Sequence, residues 1–237
     1  MPSLFTLFST LDLIAISALM LCWIGVSHII EAPPARRPST SVLMATYRRE
    51  WMRQMVQRDP RILDAQIASN LRQGTTFFAS ACMIAMGGGF ALVGNADLLR
   101  GVARDLTQAT DPIVVWEIKL LVMLLFVANA FLKFVWAHRL FGYCAVVMAA
   151  VPNDASDPAA APRAHKAGEI SVTAARSYNR GLRSIYFGIA ASAWLLGPLP
   201  LGVATVFTLG VILRREFASV SRSVLLDRSD YIQHTDS

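Results

Sequence analysis

Residues 74–96 read GTTFFASACMIAMGGGFALVGNA and contain no charged side chain over 23 positions. A helix needs about 20 mostly apolar residues to cross the hydrocarbon core of a bilayer. Residues 13–30 and 184–213 are also free of charge, over 18 and 30 positions. Residues 113–137 form a further apolar segment that carries only a few charges. The sequence therefore predicts an all-α, polytopic membrane helical bundle with four membrane segments, at about 12–31, 74–95, 113–137 and 184–213.

The composition favours the same class of protein. Hydrophobic residues make up 54% of the 237 positions and charged residues 16%, against about 25% charged in soluble domains. This excludes a disordered chain and a coiled coil, and it argues against a soluble enzyme. The formal net charge is +6, and the basic residues lie between the apolar segments. That position favours anionic lipid head groups as the partner rather than nucleic acid.

Motifs for catalysis, phosphate binding or metal binding do not occur in the sequence. There is no GxSxG, no HExxH and no glycine loop followed by lysine. Cys22, Cys82 and Cys144 each lie in an apolar run without a CxxC pair. We expect no enzymatic activity, no cofactor and no metal. His28 and His138, at one predicted membrane depth, give haem ligation as a minor alternative.

Basic residues predict the orientation in the membrane. The stretch before the first segment has none, loop 31–73 has eight, loop 97–112 has two and loop 138–183 has six. By the positive-inside rule, the N-terminus is outside, and loops 31–73 and 138–183 are cytoplasmic.

The last apolar segment allows two arrangements because it contains Gly197-Pro198-Leu199-Pro200. One helix kinked at the prolines would leave the C-terminal tail outside, although this tail contains four arginines. A re-entrant pair of half-helices would return the tail to the cytoplasm, at the cost of backbone at membrane depth that protein or water must shield. The sequence favours the kinked span.

Two segments between the spans also have a predicted structure. In residues 41–58, Leu43, Tyr47, Trp51 and Met55 recur at helical spacing among arginines, which predicts an amphipathic helix at the head groups. An ordinary core helix is the alternative. Residues 152–168 are rich in proline and alanine and predict a linker. The chain as a whole forms a single membrane domain, with helical extensions on the cytoplasmic side.

Three blocks resemble a known family: WMRQMVQRDPRILDAQIASNLRQGTTFFASACMIAMGG from Trp51, LKFVWAHRLFGYCAVVMAAVP from Leu132 and YNRGLRSIYFGIAASAWLLGP from Tyr178. In this order they resemble the bacterial branch of the membrane family called domain of unknown function 599. The likeness covers roughly residues 10–218, and His138 departs from the family pattern. It implies a small four-span protein of the bacterial inner (cell) membrane and no particular reaction.

The apolar segments and the residues that flank them give three sets of candidate residues. Ionisable groups within a membrane are functional candidates by default, so a polar path along the third segment is predicted from Lys119, Asn129, Lys133 and Glu117. The alternative is that both lysines extend to the two interfaces. An anion or anionic-lipid site is predicted from Arg72, Arg139, Arg176, Arg180 and Arg183. Close helix packing, within the monomer or between copies, is predicted at Ala81, Ala85, Gly89, Gly188 and Ser192.

The functional expectation follows from these features. Small-residue packing faces, a large basic layer and the lack of catalytic motifs favour a non-enzymatic integral membrane protein. We expect it to act as a self-associating scaffold or as an accessory subunit of a larger membrane complex. The alternative is a homo-oligomeric channel or transporter for ions or small solutes, which would use the polar path or the broken last segment.

Overall fold

The computed structural model describes residues 7–95, 97, 101 and 112–227, which contain helices and no strands. Arg100, Arg104 and Arg228 lie outside the described residues. We number the helices in chain order as α1 Thr10–Glu31, α2 Thr40–Met55, α3 Ile62–Gly94, α4 Ile113–Ala149, α5 Ala160–Ser192, α6 Pro198–Phe217 and α7 Val220–Leu226. A 3-10 turn, Ala193–Leu196, joins α5 to α6.

Three of these helices, α1, α3 and α4, are long and apolar enough to cross a membrane. They contain the predicted spans 12–31, 74–95 and 113–137 almost entirely. Both α3 and α4 extend beyond the apolar segments. Apolar residues continue at helical spacing before Gly74, and no charge interrupts the chain between Leu140 and Ala149. The helical class and the membrane character of these helices therefore agree with the sequence.

The predicted kinked span over 184–213 is wrong. α5 ends at Ser192 and α6 begins at Pro198, and Gly197 between them has a φ of +120°. Residues from the two ends of the segment meet, because Arg215 Nη1 donates to the Tyr186 hydroxyl at 3.0 Å. The segment is a helical hairpin, in which α5 has 33 residues and α6 has 20, so neither is the short half-helix that the sequence left as the alternative.

The reversal has a local cause at Gly197. A φ of +120° lies in a region that residues with a Cβ rarely adopt. Pro198 then occupies the first position of α6, where its missing N–H costs no helical hydrogen bond. Trp194 fixes the turn to the start of α1, since its indole Nε1 donates to Asp12 Oδ1 at 2.7 Å.

Polar side chains cap the first turns of α1 and α2. Ser9 and Asp12 form a reciprocal capping box at the start of α1. Ser39, fully buried, accepts a hydrogen bond from the Val42 amide at 3.2 Å and donates to the Ile30 carbonyl at 2.7 Å. This second bond ties the start of α2 to the end of α1.

The core lies along α4 and α5. Gly181 is in close contact with the Phe134 ring, and Gly188 with Phe126, so two aromatic side chains of α4 are seated on glycines of α5. α2, which occupies most of the predicted helix 41–58, packs Met52 and Met55 against alanines of α5. The predicted linker 152–168 is wrong in its second half, because α5 already begins at Ala160. Alanine has the highest helix propensity, and Pro162 lies in the first turn, where proline is tolerated.

Candidate functional site

The bundle has two polar ends. At one end lie Asp12, Lys119 and Trp194; at the other, which we call the basic end, lie Glu31, Arg183 and Glu216. Trp194, just before α6, contacts Asp12 at the start of α1. Near the end of α6, the Glu216 carbonyl accepts a hydrogen bond from Thr40 Oγ1 at 3.1 Å, and Thr40 begins α2, which follows the end of α1. The two ends of α6 therefore lie at opposite ends of α1.

Lys119 lies among aromatic rings rather than along an open path. Its side chain is buried, and Nζ lies 5.1 Å from the ring centroid of Trp116 and 5.8 Å from that of Trp194. An ammonium at this distance is attracted to the face of an indole ring. The structure therefore holds Lys119 within the end of the bundle that contains Asp12.

Asn129 and Lys133 contact α5 instead. Asn129 Nδ2 donates to Ser184 Oγ at 3.1 Å, and Ser184 Oγ donates to the Phe126 carbonyl at 2.8 Å. The Lys133 carbonyl accepts a hydrogen bond from Ser177 Oγ at 3.0 Å, and Glu117 is half-buried. These bonds join α4 to α5. The predicted path residues thus lie at separate contacts along α4, and none of them lines the cavities of about 630 Å³ and 290 Å³ near the basic arginines.

Three of the five predicted arginines converge on one carboxylate, Glu31. Arg180 donates to it through Nε at 2.8 Å and Nη2 at 2.5 Å, Arg183 through Nη2 at 2.5 Å, and Arg176 Nε lies 3.9 Å away. Arg183, which is only 5% exposed, also donates to Ser27 Oγ at 3.1 Å. These arginines therefore bind an anion of the chain itself.

Sequence reasoning did not identify Glu31, because it treated this residue only as the end of an apolar segment. The signal was a lone carboxylate at a helix terminus opposite arginines at positions i, i+4 and i+7 of another helix. Arg72 and Arg139 do not join this cluster: both are exposed, and Arg72 lines a separate cavity of about 290 Å³ beside Asp64. The predicted arginine set is thus divided between different surfaces.

A cavity of about 630 Å³ lies at the basic end, among α2, α3, α4 and α5. Its charged lining residues are four arginines and two glutamates: Arg48, Arg49, Arg176, Arg183, Glu31 and Glu216. Its apolar lining includes Leu71 and Gly74 of α3, Phe141 of α4 and Val172 of α5. The cavity is therefore amphipathic, and its lining carries an excess of positive charge.

Sequence reasoning missed two of the arginines that line this cavity, Arg49, which pairs with Glu169, and Arg48. Arg48 Nη1 donates to Ser171 Oγ at 3.2 Å, and its guanidinium lies 5.9 Å from the Phe141 ring centroid. Burial lowers the pKa of the Arg48 guanidinium, yet arginine stays protonated at any physiological pH. Among the residues that the structure describes, no carboxylate lies within ion-pair distance of Arg48.

The predicted packing residues differ in what they contact. Gly89 faces Leu124 so closely that a Cβ would collide with its side chain, and Gly188 lies against Phe126. Ser192 donates to the Ile189 carbonyl of its own helix at 2.7 Å. Ala81 and Ala85, by contrast, are exposed on α3. Gly89 and Gly188 thus pack inside the monomer, whereas Ala81 and Ala85 point away from the bundle.

A second ion pair, with a buried carboxylate, joins the turn after α2 to α3 and was also missed. Asp64, which is fully buried, accepts from Arg58 Nη1 at 2.5 Å and from Trp51 Nε1 at 2.6 Å, both through Oδ1. Arg61 donates to the carbonyls of Val151 and Pro152, both at 2.7 Å. These contacts fix the turn between the two helices to the end of α4, and they have a structural role.

His138 does not meet His28 in the structure. Its Nδ1 lies 3.3 Å from Thr75 Oγ1 and 3.1 Å from Thr76 Oγ1, whereas His28 is exposed on α1. Over the described ranges, no group of three or more His, Cys, Asp or Glu side chains could hold a metal ion.

Comparison with known proteins identifies the family. The chain belongs to the family described as "Protein of unknown function, DUF599", whose family model matches residues 14–221. No curated protein and no solved structure matches the chain.

Proposed function

We propose that this chain is a non-enzymatic protein of the bacterial inner membrane that associates with a second copy of itself and serves as a scaffold or accessory subunit. The observation that carries the proposal is the exposure of α3. In an 18-residue apolar stretch of α3, only 6% of the residues are buried by the rest of the protein, whereas the corresponding share is 22% in α1 and 33% in α4.

The exposed side of α3 has the composition of a helix-packing surface. Ala81, Ala85 and Gly88 lie outward at successive turns, and a Cβ at Gly88 would meet nothing within 4 Å. Small residues allow two helix backbones to approach closely in a membrane, where packing rather than water exclusion drives association. We call this surface the α3 small-residue face, and a second copy is its proposed occupant.

The basic end of the bundle is proposed to face the cytoplasm. With the 184–213 hairpin, loops 31–73 and 138–183 and the tail from Arg214 come to one side, which gives 18 basic residues there against 2 in loop 97–112. A single kinked span would give 14 against 6. The positive-inside rule favours the more uneven distribution.

Native mass spectrometry of gently extracted protein tests the proposal. We expect a homo-oligomer for the wild type and a shift to monomer for Ala85→Leu, because the added side chain separates the two helices. Ala18→Leu, at an exposed position of α1, is the matched control and should leave the oligomer intact. A wild-type chain that is monomeric, or an oligomer that persists in Ala85→Leu, would contradict association through this face.

A homo-oligomeric channel or transporter is the second candidate, and the buried Lys119 favours it. A buried ionisable group inside an apolar helix is costly, and such groups often serve transport. This candidate predicts that Lys119→Met, like Asn129→Leu and Lys133→Met, abolishes solute flux into liposomes while the oligomer survives. Unchanged flux in Lys119→Met would reject it.

A further inference from the structure

Among the residues that the structure describes, Arg48 is the lining arginine of the 630 Å³ cavity at the basic end that has no carboxylate within ion-pair distance. Glu31 is bound by Arg180 and Arg183, and Arg176 Nε lies 3.9 Å from the same carboxylate. Glu216 Oε2 accepts from the Ser41 amide at 3.0 Å, and Arg49 pairs with Glu169, which lies outside the lining. Arg48 is thus the residue whose charge remains available to a ligand.

The environment of Arg48 favours a phosphate group. A guanidinium has five N–H donors in a planar fork, and one donates to Ser171 in the structure. Phe141 covers one side of the group, which removes water from it and strengthens its attraction to an anion. Forked donors match the oxygens of phosphate better than a single ammonium does.

The remaining wall of the cavity is suited to the apolar part of an amphiphile. Leu71, Phe141 and Val172 line it, and a Cβ added at Gly74 would meet nothing within 4 Å. Gly74 also marks the point where the charge-free run of α3 begins. In a bilayer this level corresponds to the boundary between head groups and acyl chains.

We propose that this cavity binds an anionic phospholipid, with Arg48 contacting its phosphate and the wall at Leu71, Gly74 and Phe141 contacting its glycerol and upper acyl chain. The site is independent of self-association, since Arg48 lies on α2 and the α3 small-residue face points away from the bundle. Inorganic phosphate shares the head-group chemistry but lacks the part that would fill the apolar wall.

The experiment is a lipid titration of the full chain in detergent, followed by native mass spectrometry with dioleoylphosphatidylglycerol, dioleoylphosphatidylcholine or inorganic phosphate. We expect the wild type to retain the phosphatidylglycerol and to bind the other two more weakly. Arg48→Gln should weaken that binding by about tenfold or more, the range of a lost hydrogen bond to a charged group. Arg53→Gln removes the same charge from an exposed position on the same helix and should change little.

A second variant tests the apolar wall from another helix. Gly74→Phe should fill the space beside α3 and weaken phosphatidylglycerol binding, with no effect on inorganic phosphate. Equal phosphatidylglycerol affinity in Arg48→Gln and Arg53→Gln would overturn the proposal, as would wild-type protein that binds inorganic phosphate but no phosphatidylglycerol. The same spectra report the number of subunits separately, so loss of the oligomer and loss of the lipid are distinguishable.

Discussion

Glu31 shows how a single residue determines the geometry of the basic end. It is the last residue of α1, and its carboxylate receives hydrogen bonds from Arg180 and Arg183 of α5. Its side chain is 14% exposed. A buried pair contributes little net stability, but removing one partner leaves the other charge uncompensated. Glu31 therefore matters mainly because it neutralises Arg183.

We predict that Glu31→Gln lowers the free energy of unfolding by about 3 kcal/mol, since Arg183 would then be a buried cation without an anion. The measurement is the midpoint of thermal unfolding in detergent. Glu50→Gln is the control, because the pair of Glu50 with Arg53 is exposed and such pairs contribute at most about 1 kcal/mol. Equal midpoints for the two variants would contradict this role of Glu31.

The pair between Arg49 and Glu169 predicts a pH dependence. The hydrogen bonds from the Arg49 guanidinium hold the pKa of the Glu169 carboxyl below its usual range. Because the pKa is lower in the folded state, the stabilisation is present above the ordinary value near 4.5 and is lost as the pH falls through the folded value.

Wild type and Glu169→Gln should therefore differ slightly in unfolding midpoint at pH 7 and converge as the pH falls well below 4.5. Both side chains are more than two-fifths exposed, so the difference at pH 7 is at most about 1 kcal/mol. A difference that grew on acidification would have the wrong sign and would refute the assignment.

At the scale of elements, the hairpin of α5 and α6 depends on one backbone conformation. Gly197 adopts φ +120° and ψ 174°, a region open essentially to glycine alone. The turn is also held at the α1 side by Trp194 and Asp12. A side chain at Gly197 would therefore add strain without removing any contact.

Gly197→Ala is predicted to destabilise the protein by about 1–3 kcal/mol. Gly202→Ala, in the interior of α6 where a Cβ meets nothing within 4 Å, should instead stabilise it by up to about 1 kcal/mol. Unfolding midpoints of the two variants should thus move in opposite directions. A Gly197→Ala variant as stable as wild type would mean that the turn tolerates another conformation.

At the scale of the whole molecule, the hairpin determines at which end of the bundle α6 finishes relative to the start of α1. α1, α3 and α4 are long and apolar enough to cross a membrane, and α5 and α6 form a hairpin. The start of α1 and the end of α6 therefore lie at opposite ends of the bundle. A fourth crossing would have placed both ends of the chain on the same side.

Cysteine labelling of a variant without the native Cys22, Cys82 and Cys144 tests this topology. Thr10→Cys and Ser221→Cys, both at exposed positions, should react with a membrane-impermeant maleimide from opposite sides of the membrane. By the proposed orientation, Thr10→Cys reacts from outside and Ser221→Cys only after permeabilisation. If both cysteines reacted with the maleimide from the outside, the result would contradict this topology and support a single kinked span over 184–213.

The sequence by itself determined the helical class, three segments long and apolar enough to cross a membrane, the family and the clustering of arginines before the last segment. Each of these depends on composition or on spacing within one element, and apolar length is a local property. Only the tertiary structure decided that Arg180 and Arg183 bind Glu31, that Gly89 packs inside the monomer whereas Ala85 does not, and that the last segment reverses at Gly197. These outcomes depend on which helix faces which. Helix pairing brings together residues about 150 positions apart, and no periodicity within a single helix encodes the partner.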